Sequence, residues 1–400
     1  MGRSLSIAVL LAALACNRGP APVVDRGPVT TDGLLARSNL DAMIAGHEGS
    51  VRREPGWGSA RLSVVTLLLA RGSTYGRVED LESAERVAEE GVRSAPRSPE
   101  AWLARASARA ALHRFLDASA DLERAEAFGA EPDAVRAQRG AIALARGDLA
   151  TALDLARARA AREPGMATSS ALAVVLAESG EATAAERELA RALAAYRDTS
   201  PFPVAFVEFR QGLLAERTGE LARAADRYRA VLRRLPGHAQ AAVHLASVEM
   251  ARSDLGAASL ALASVLPEAS DPEIAATRAE LARRLGDTAG ATRQQAAAWA
   301  GYLGLLDKHP DAFADHAARF FLEREPRAAL RWASHNFEVR PTADALDLAL
   351  TAALRAGDAS SGCRLAGGIS TVQAPTPRLQ ALVEEARRSC PATVSPAATL

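Results

Sequence analysis

Apolar and small residues recur along this chain in paired helical stretches. From about residue 57 onward, stretches of roughly twelve to fifteen residues with helical periodicity alternate with breaks at Gly or Pro. In each pair, a small residue in the first stretch is followed twelve positions later by a small residue in the second. The pairs with this spacing are Ala106 and Ala118, Gly140 and Ala152, Ala173 and Ala185, Gly212 and Ala224, Ala246 and Ala258, Ala279 and Ala291, Ala317 and Ala329, and Ala349 and Ser361. Such a spacing predicts a tandem array of helix hairpins.

Three further sequence features recur at fixed distances from these small residues. A glycine, suited to a left-handed turn between helices, follows the first small residue by seven positions at Gly147, Gly180, Gly219 and Gly286. A proline, suited to the start of a new unit, follows it by twenty-four positions at Pro164, Pro236 and Pro341, with Pro132 and Pro272 close to that place. A larger residue that is expected to fill the space between the helices follows the second small residue by four positions at Leu122, Leu189, Tyr228, Leu262 and Leu365.

The segment from Arg210 to Pro236 carries all of these marks, and with a period near 34 residues the chain resembles the tetratricopeptide repeat. Trp102 matches an early aromatic position of that repeat. The resemblance covers roughly residues 57–370. It implies about nine units in an all-α, right-handed superhelical solenoid of helix hairpins.

Two units depart from the pattern. In the first unit, the stretch from Gly72 to Asp80 is expected to lengthen the loop between the helices, and the unit that begins near Pro310 is expected to turn at Glu325 and Pro326. Residues 34–56 are expected to hold an N-terminal helix from Asn39 to Arg53. Residues 371–400 are expected to hold a capping helix from Pro377 to Ser389 and a tail, because a terminal unit would otherwise leave an apolar face in water.

The resemblance also implies where partners bind, because the first helices of such units line a concave groove. The groove positions expected on this basis are Glu100, Leu103, Ser107, Phe206, Phe209, Leu213, Gln240, Val243, Ser247, Asp311 and Phe321. Phe206 and Phe209 could form a binding hot spot or could pack between neighbouring units. Asn occurs only at Asn17, Asn39 and Asn336, outside the groove, which argues against a clamp for a C-terminal carboxylate.

The N-terminal sequence predicts that the protein is exported from the cytoplasm. Arg3 precedes a short apolar run from Leu5 to Ala15, which is typical of a secretory signal and too short for a transmembrane helix. The residues from Ala13 to Cys16 resemble a bacterial lipobox, although leucine usually stands where Ala13 does. The resemblance implies a signal peptide at residues 1–15 and a lipid anchor on Cys16; the alternative is an ordinary secretory signal that contains a cysteine.

A tether is expected to follow the anchor. The stretch from Asn17 to Gly33 has three prolines, three glycines and no helical period, so residues 16–33 are predicted to link the anchor to the folded body. By resemblance, a lipoprotein with Asn17 after the cysteine is expected at the periplasmic face of the outer membrane. The membrane is therefore an expected partner through the lipid.

Charge and composition exclude several other classes. Lys+Arg and Asp+Glu are both 48, so the chain lacks the net positive charge of most nucleic-acid-binding domains. The seven histidines show no pair spaced by four residues, and no phosphate-binding loop, dinucleotide motif or nucleophile elbow is present. We therefore expect no metal, no cofactor and no catalytic activity.

With Cys16 carrying lipid, Cys363 and Cys390 remain. An even pair in an oxidising compartment favours a disulfide between them, the alternative being two free thiols. Taken together, the sequence predicts a lipid-tethered scaffold that binds proteins or peptides of the cell envelope. The alternative is an accessory role in polysaccharide or peptidoglycan export, which would need exposed aromatic platforms.

Overall fold

The computed structural model describes residues 27–390, and this part of the chain consists of helices and short connections without a β-strand. Cys16 and the predicted signal peptide lie outside the described residues. The α-helices are α1 (Gly33–Arg53), α2 (Gly58–Tyr75), α3 (Val78–Ser94), α4 (Pro99–Ala111), α5 (Phe115–Ala127), α6 (Pro132–Ala145), α7 (Leu149–Arg162), α8 (Met166–Glu178), α9 (Ala182–Ala195), α10 (Pro201–Arg217), α11 (Leu221–Arg234), α12 (Ala239–Ala251), α13 (Leu255–Ala263), α14 (Pro272–Arg284), α15 (Thr288–Lys308), α16 (Pro310–Phe321), α17 (Pro326–Val339), α18 (Ala343–Ala356), α19 (Ala359–Gly367) and α20 (Pro377–Arg388).

Helices α2 to α19 pair in chain order as nine antiparallel hairpins, with α1 before the first and α20 after the last. Each hairpin packs against the next, so the predicted all-α, right-handed superhelical solenoid is confirmed. Within the described residues, none of the helices is both long and apolar enough to cross a bilayer.

The predicted turn glycines adopt the backbone conformation that the turns require. Gly147, Gly180, Gly219 and Gly286 have φ between 75° and 80°, a left-handed region that residues with a Cβ rarely enter. In each case the backbone N–H of the residue directly after the glycine closes the turn onto the first helix, as Asp148 N–H does by donating to Ala143 O at 2.9 Å. The position of each turn therefore follows from the glycine itself.

Aspartates cap four of the second helices. The side chains of Asp148, Asp254, Asp287 and Asp358 each accept the backbone N–H of the residue three positions further on, at 2.8–3.1 Å. Each such N-cap stabilises a helix by roughly 1 kcal/mol. At three of these four turns a glycine directly precedes the aspartate, so the two residues end the first helix and start the second; at the fourth, Ser253 precedes Asp254.

The paired small residues lie where the two helices of a hairpin approach most closely. Ala106 and Ala118, like Ala246 and Ala258, are completely buried. Gly212 faces the buried ring of Tyr228 across the α10–α11 hairpin, and a Cβ on Gly212 would lie 2.8 Å from Tyr228 Cδ1 and nearer still to Cε1. At this position the tyrosine fills the space that glycine leaves.

Gly212→Ala is therefore expected to lower the free energy of unfolding by about 1–3 kcal/mol, because the added methyl group collides with a ring that cannot move. Gly140→Ala is the matched control, since Gly140 holds the same place in its unit. There a Cβ would meet only Leu155, at an ordinary 3.6 Å. Alanine favours a helix interior, so the control should gain about 0.5–1 kcal/mol. Equal effects of the two variants in urea denaturation would contradict the packing described here.

The first hairpin differs from its prediction. Helix α2 continues to Tyr75 and α3 begins at Val78, so the connection is short rather than a loop from Gly72 to Asp80. Gly76, with φ of 67°, makes the turn. Gly72 remains helical, and its lack of a side chain admits the close approach of Arg77 O, which would lie 3.0 Å from a Cβ there.

The N-terminal segment is also more ordered than expected. Helix α1 starts at Gly33, not Asn39, because Asp32 Oδ1 accepts the backbone N–H groups of the first turn at 2.9 and 3.2 Å. Arg234 donates to Pro28 O at 3.1 Å and to Thr30 Oγ1 at 2.9 Å. The end of the predicted tether thus packs on α11, while residues 17–26 lie outside the described part.

The superhelix winds so tightly that its second turn rests on its first. Residues about 200 positions apart bond directly: Ser270 Oγ accepts Val78 N–H at 3.1 Å, Lys308 Nζ donates to Glu82 Oε1 at 2.9 Å, and Ala150 N–H donates to the side chain of Gln373 at 3.0 Å. Arg37 also pairs with Glu268 across this seam. The array therefore encloses internal space instead of presenting one open groove.

Candidate partner-binding surface

The first helices of the hairpins line the inside of the superhelix. One cavity of about 510 Å³ lies among α8, α10, α12, α16 and α18, all of them first helices, with Leu189 of α9. A second, of about 470 Å³, is bounded chiefly by α2 from the first turn and α16 from the second. The units that meet at these cavities are distant in sequence, so the inner surface exists only because the superhelix closes on itself.

Four of the expected groove residues do not reach this surface. Leu103, Phe209, Val243 and Phe321 are at most 7% exposed and belong to the hydrophobic cores between helices. They contribute to stability and offer no surface to a partner.

Phe209 illustrates why these residues are buried. Its ring packs at 5.5–5.6 Å, centroid to centroid, against Tyr228 of the same hairpin and against His238 and His244 of the next. Of the two open interpretations of Phe209, packing between neighbouring units is the one observed.

The other seven expected residues keep solvent exposure, but they are dispersed. Phe206 is 41% exposed, and Gln240 and Ser247 are exposed as well. Leu213 and Gln240 line the two inner cavities, and Asp311 lines a third cavity of about 630 Å³ at the seam between turns. Glu100 and Ser107 bond within their own helix region, to Ser98 Oγ and Leu103 O. Partner binding by these residues stays a prediction.

Ion-paired histidines and carboxylates, which the sequence analysis did not select, occupy the inner surface. Glu216 accepts the Tyr228 hydroxyl at 2.7 Å and lies 3.0 Å from His244 Nδ1. Burial alone would raise the pKa of Glu216, but His244 outweighs it and the pKa is lowered. The sequence suggested His244 only as a potential metal ligand and did not single out Glu216. The position of both residues on first helices, α12 and α10, is the signal that could have revealed them.

His316 carries a fixed positive charge near the second cavity. It lies 3.4 Å from Glu273 and 3.7 Å from Asp315, which in turn faces Arg340. Burial opposes the charged form, but Asp315 and Glu273 prevail and raise the pKa of His316 to about 10. Within residues 27–390, no group of three or more His, Cys, Asp or Glu side chains is arranged so that it could hold a metal ion.

His238, which stacks on Phe209, makes the fold sensitive to acid. Its Nδ1 accepts the backbone N–H of Ala241 as the N-cap of α12, so that nitrogen must be unprotonated. Burial lowers the pKa of His238 to about 4 from an ordinary value of 6.5. Its contribution to stability is therefore complete above pH 6.5 and is lost as the pH falls towards 4.

His238→Asn should keep the cap and remove this titration. We expect urea denaturation at pH 7 and pH 4.5 to show a smaller acid-induced loss of stability in the variant than in the wild type. If both proteins lose stability in parallel, His238 is not the sensitive group.

The terminal helix is joined covalently to the array. The structure contains a disulfide between Cys363 of α19 and Cys390, just after α20, with the Cα atoms 5.3 Å apart. This is the pair that the sequence analysis favoured.

Comparison with known proteins leaves the family open. No family model matches the chain, and no curated protein matches it. Among solved structures, the chain is similar to a chain of the APC/C hetero-tetramer Cut9–Hcn1, with 16% identity over 82% of this chain and 63% of that chain and a TM-score of 0.46. It thus spans less than two thirds of that structure's length.

Two further solved structures are similar over longer parts of their own chains. Yeast Tom70 is 12% identical over 89% of this chain and 93% of its own, with a TM-score of 0.38. A tetratricopeptide repeat protein from Parabacteroides merdae is 15% identical over 64% of this chain and 96% of its own, also with a TM-score of 0.38. Similarity of this extent describes neither a partner nor an activity of this chain.

Proposed function

We propose that this chain is a non-enzymatic scaffold that binds an extended segment of another protein along the inside of its superhelix. The observation that carries this proposal is the pair of inner cavities lined by first helices from both turns. Each is large enough for one or two side chains and too small for a folded domain. A flexible segment fits such a surface, because its side chains can enter successive cavities while its backbone follows the helices.

The chemistry of the inner surface supports binding. Its histidines and carboxylates are engaged with each other, as in Glu216 with His244 and Glu273 with His316. A charged pair such as Glu273 with His316 holds its charges in place, where they can orient a partner. Phe206 adds an exposed aromatic ring on α10, which is suited to an interface anchor.

We further propose that the scaffold is tethered through lipid on Cys16 at the periplasmic face of the outer membrane. The contact of Arg234 with Pro28 and Thr30 supports a defined attachment, since it fixes the base of the predicted tether on α11. Expression in a Gram-negative host with labelled palmitate should label the wild type and not Cys16→Ala. Equal labelling of the two proteins would contradict a lipid anchor at this residue.

Site-specific photocrosslinking in intact cells tests the binding proposal. A benzophenone side chain at Leu213 or Gln240 should yield the same protein adduct, because each of these residues lines one of the two inner cavities. Leu260 is the control, as it is 76% exposed on the second helix α13. Adducts of equal yield from all three positions would contradict an inner binding surface, and adducts to glycan would favour the polysaccharide alternative.

A further inference from the structure

In the cavity of about 510 Å³, not every arginine has a carboxylate as its ion-pair partner. Three guanidinium groups and three carboxylates line it, namely Arg210, Arg217, Arg319, Glu178, Glu216 and Asp344. By number these charges cancel. The hydrogen bonds show, however, that the carboxylates are already engaged by other groups.

Arg217 engages two of the carboxylates, Glu178 at 2.8 Å and Asp344 at 3.2 Å. Glu216, the third, bonds Tyr228 and His244 as described above. Within residues 27–390, Arg210 and Arg319 form no ion pair with any of them or with another carboxylate. Two cations therefore face the cavity without a matched anion.

Arg210 is the more constrained of the two. Its Nε is buried and has no hydrogen-bond partner in the described part of the chain. Its guanidinium stacks over the ring of Phe206, with Cζ 5.0 Å from the centroid. Burial lowers the pKa of Arg210, and Arg217 adds to this while Glu178 opposes it. A buried donor without an acceptor lowers the stability of the protein unless a ligand supplies the acceptor.

We propose that this cavity binds the carboxylate of an Asp or Glu side chain on the partner segment, with Arg210 as the principal donor and Arg319 as the second. The inference rests on the proposed function and names the anchor residue of its ligand. A guanidinium presents paired N–H groups that match the two oxygens of a carboxylate. Because helices surround the cavity, the carboxylate must arrive on a flexible chain and not on a flat membrane surface.

The walls of the cavity specify the neighbours of that acidic residue. Val174, Leu213 and Leu214 contribute apolar surface beside the guanidinium groups. The exposed ring of Phe206 packs against the guanidinium group of Arg210. A segment with an acidic residue flanked by apolar ones is therefore the best match in charge and polarity.

A selection with random 12-residue peptides tests this inference. The peptides are displayed with fixed sequences at both ends, so that no terminal carboxylate is available, and the target is the full chain in detergent. We expect enriched peptides to share an internal Asp or Glu beside apolar residues. The same selection with Arg210→Gln should lose that preference, whereas Arg233→Gln, which removes an exposed arginine of α11, should retain it.

Two synthetic peptides complete the test. Both have the selected consensus sequence, and they differ only by Glu or Gln at the acidic position. Replacing Glu by Gln should weaken the binding of the peptide to the wild type about tenfold or more, because a hydrogen bond between two charged groups is stronger than one to a neutral group. The same replacement should weaken binding to Arg210→Gln much less. Arg210→Gln should unfold at the same or a higher temperature than the wild type, because the unmatched charge is removed.

Three possible results of the selection decide whether the cavity binds a carboxylate. Acidic enrichment that depends on Arg210 supports the inference. Peptides that bind without an acidic preference, or equally well to the Arg210 and Arg233 variants, overturn it and leave the scaffold proposal intact. If no peptide is enriched, the scaffold proposal fails and the inference fails with it.

Discussion

Replacing Asp121 with alanine is expected to lower the free energy of unfolding by about 3–5 kcal/mol, because it leaves two largely buried arginines without their main partner. Asp121 is 2% exposed and accepts two hydrogen bonds from Arg105, at 2.8 and 3.1 Å, and one from Arg109 at 2.9 Å. Glu89 of α3 completes the cluster by accepting from both arginines. The cluster thus joins α3, α4 and α5.

Asp117→Ala provides the matched control on the same helix. Asp117 pairs with Arg114 at 2.8 Å, but its side chain is 52% exposed, so the pair contributes less than about 1 kcal/mol. Urea denaturation followed by circular dichroism should separate the two variants clearly. A loss for Asp121→Ala no larger than that for Asp117→Ala would show that the buried cluster does not hold these helices together.

Reduction of the Cys363–Cys390 disulfide is the second change with a large expected effect. The bond closes a loop of 27 residues, and the chain-entropy relation gives a stabilisation of about 3–4 kcal/mol for a loop of that length. The affected contacts are local, because α20 packs through Leu379, Val383 and Ala386 on Leu346 and Leu350 of α18. The C-terminal cap should therefore loosen before the rest of the array.

Hydrogen exchange on the oxidised and reduced wild type measures this directly and needs no substitution. Amides of α20 should exchange faster after reduction, and those of α4 and α5 should not change. Faster exchange throughout the chain, or no change in α20, would contradict a local role for the disulfide.

The sequence predicts those features of the fold that single residues determine. Gly147 and Gly219 specify their turns because the chain must enter a left-handed conformation there. Gly212 and Tyr228 specify how closely α10 and α11 approach, because one side chain occupies the space that the other lacks. The sequence does not specify where α2 ends, because either Gly72 or Gly76 could end it, and only the three-dimensional contact of Gly72 with Arg77 distinguishes them.

The inner surface could not be predicted in the same way. The resemblance to a repeat family implies a groove position for Phe209 and Val243, but both are buried, and His238 of the next hairpin packs on Phe209. Arg210 and Arg319 are 109 positions apart in the sequence, and they line one cavity only because small rotations between successive units add up to a closed turn. The sequence pattern within one unit does not show how far the rotations between units add up along the chain.

The chain's only lysine allows the most direct test of this closed superhelix. Lys308 Nζ lies 2.9 Å from Glu82 Oε1, although 226 residues separate them. A carbodiimide joins an ammonium group to a carboxylate without a spacer, so tryptic peptides should contain an amide between Lys308 and Glu82. Lys308→Arg is the control, since it retains the charge and cannot be coupled. The account predicts Glu82–Lys308 as the principal intramolecular product in the wild type, and coupling of Lys308 only to acidic residues nearby in the sequence would contradict it.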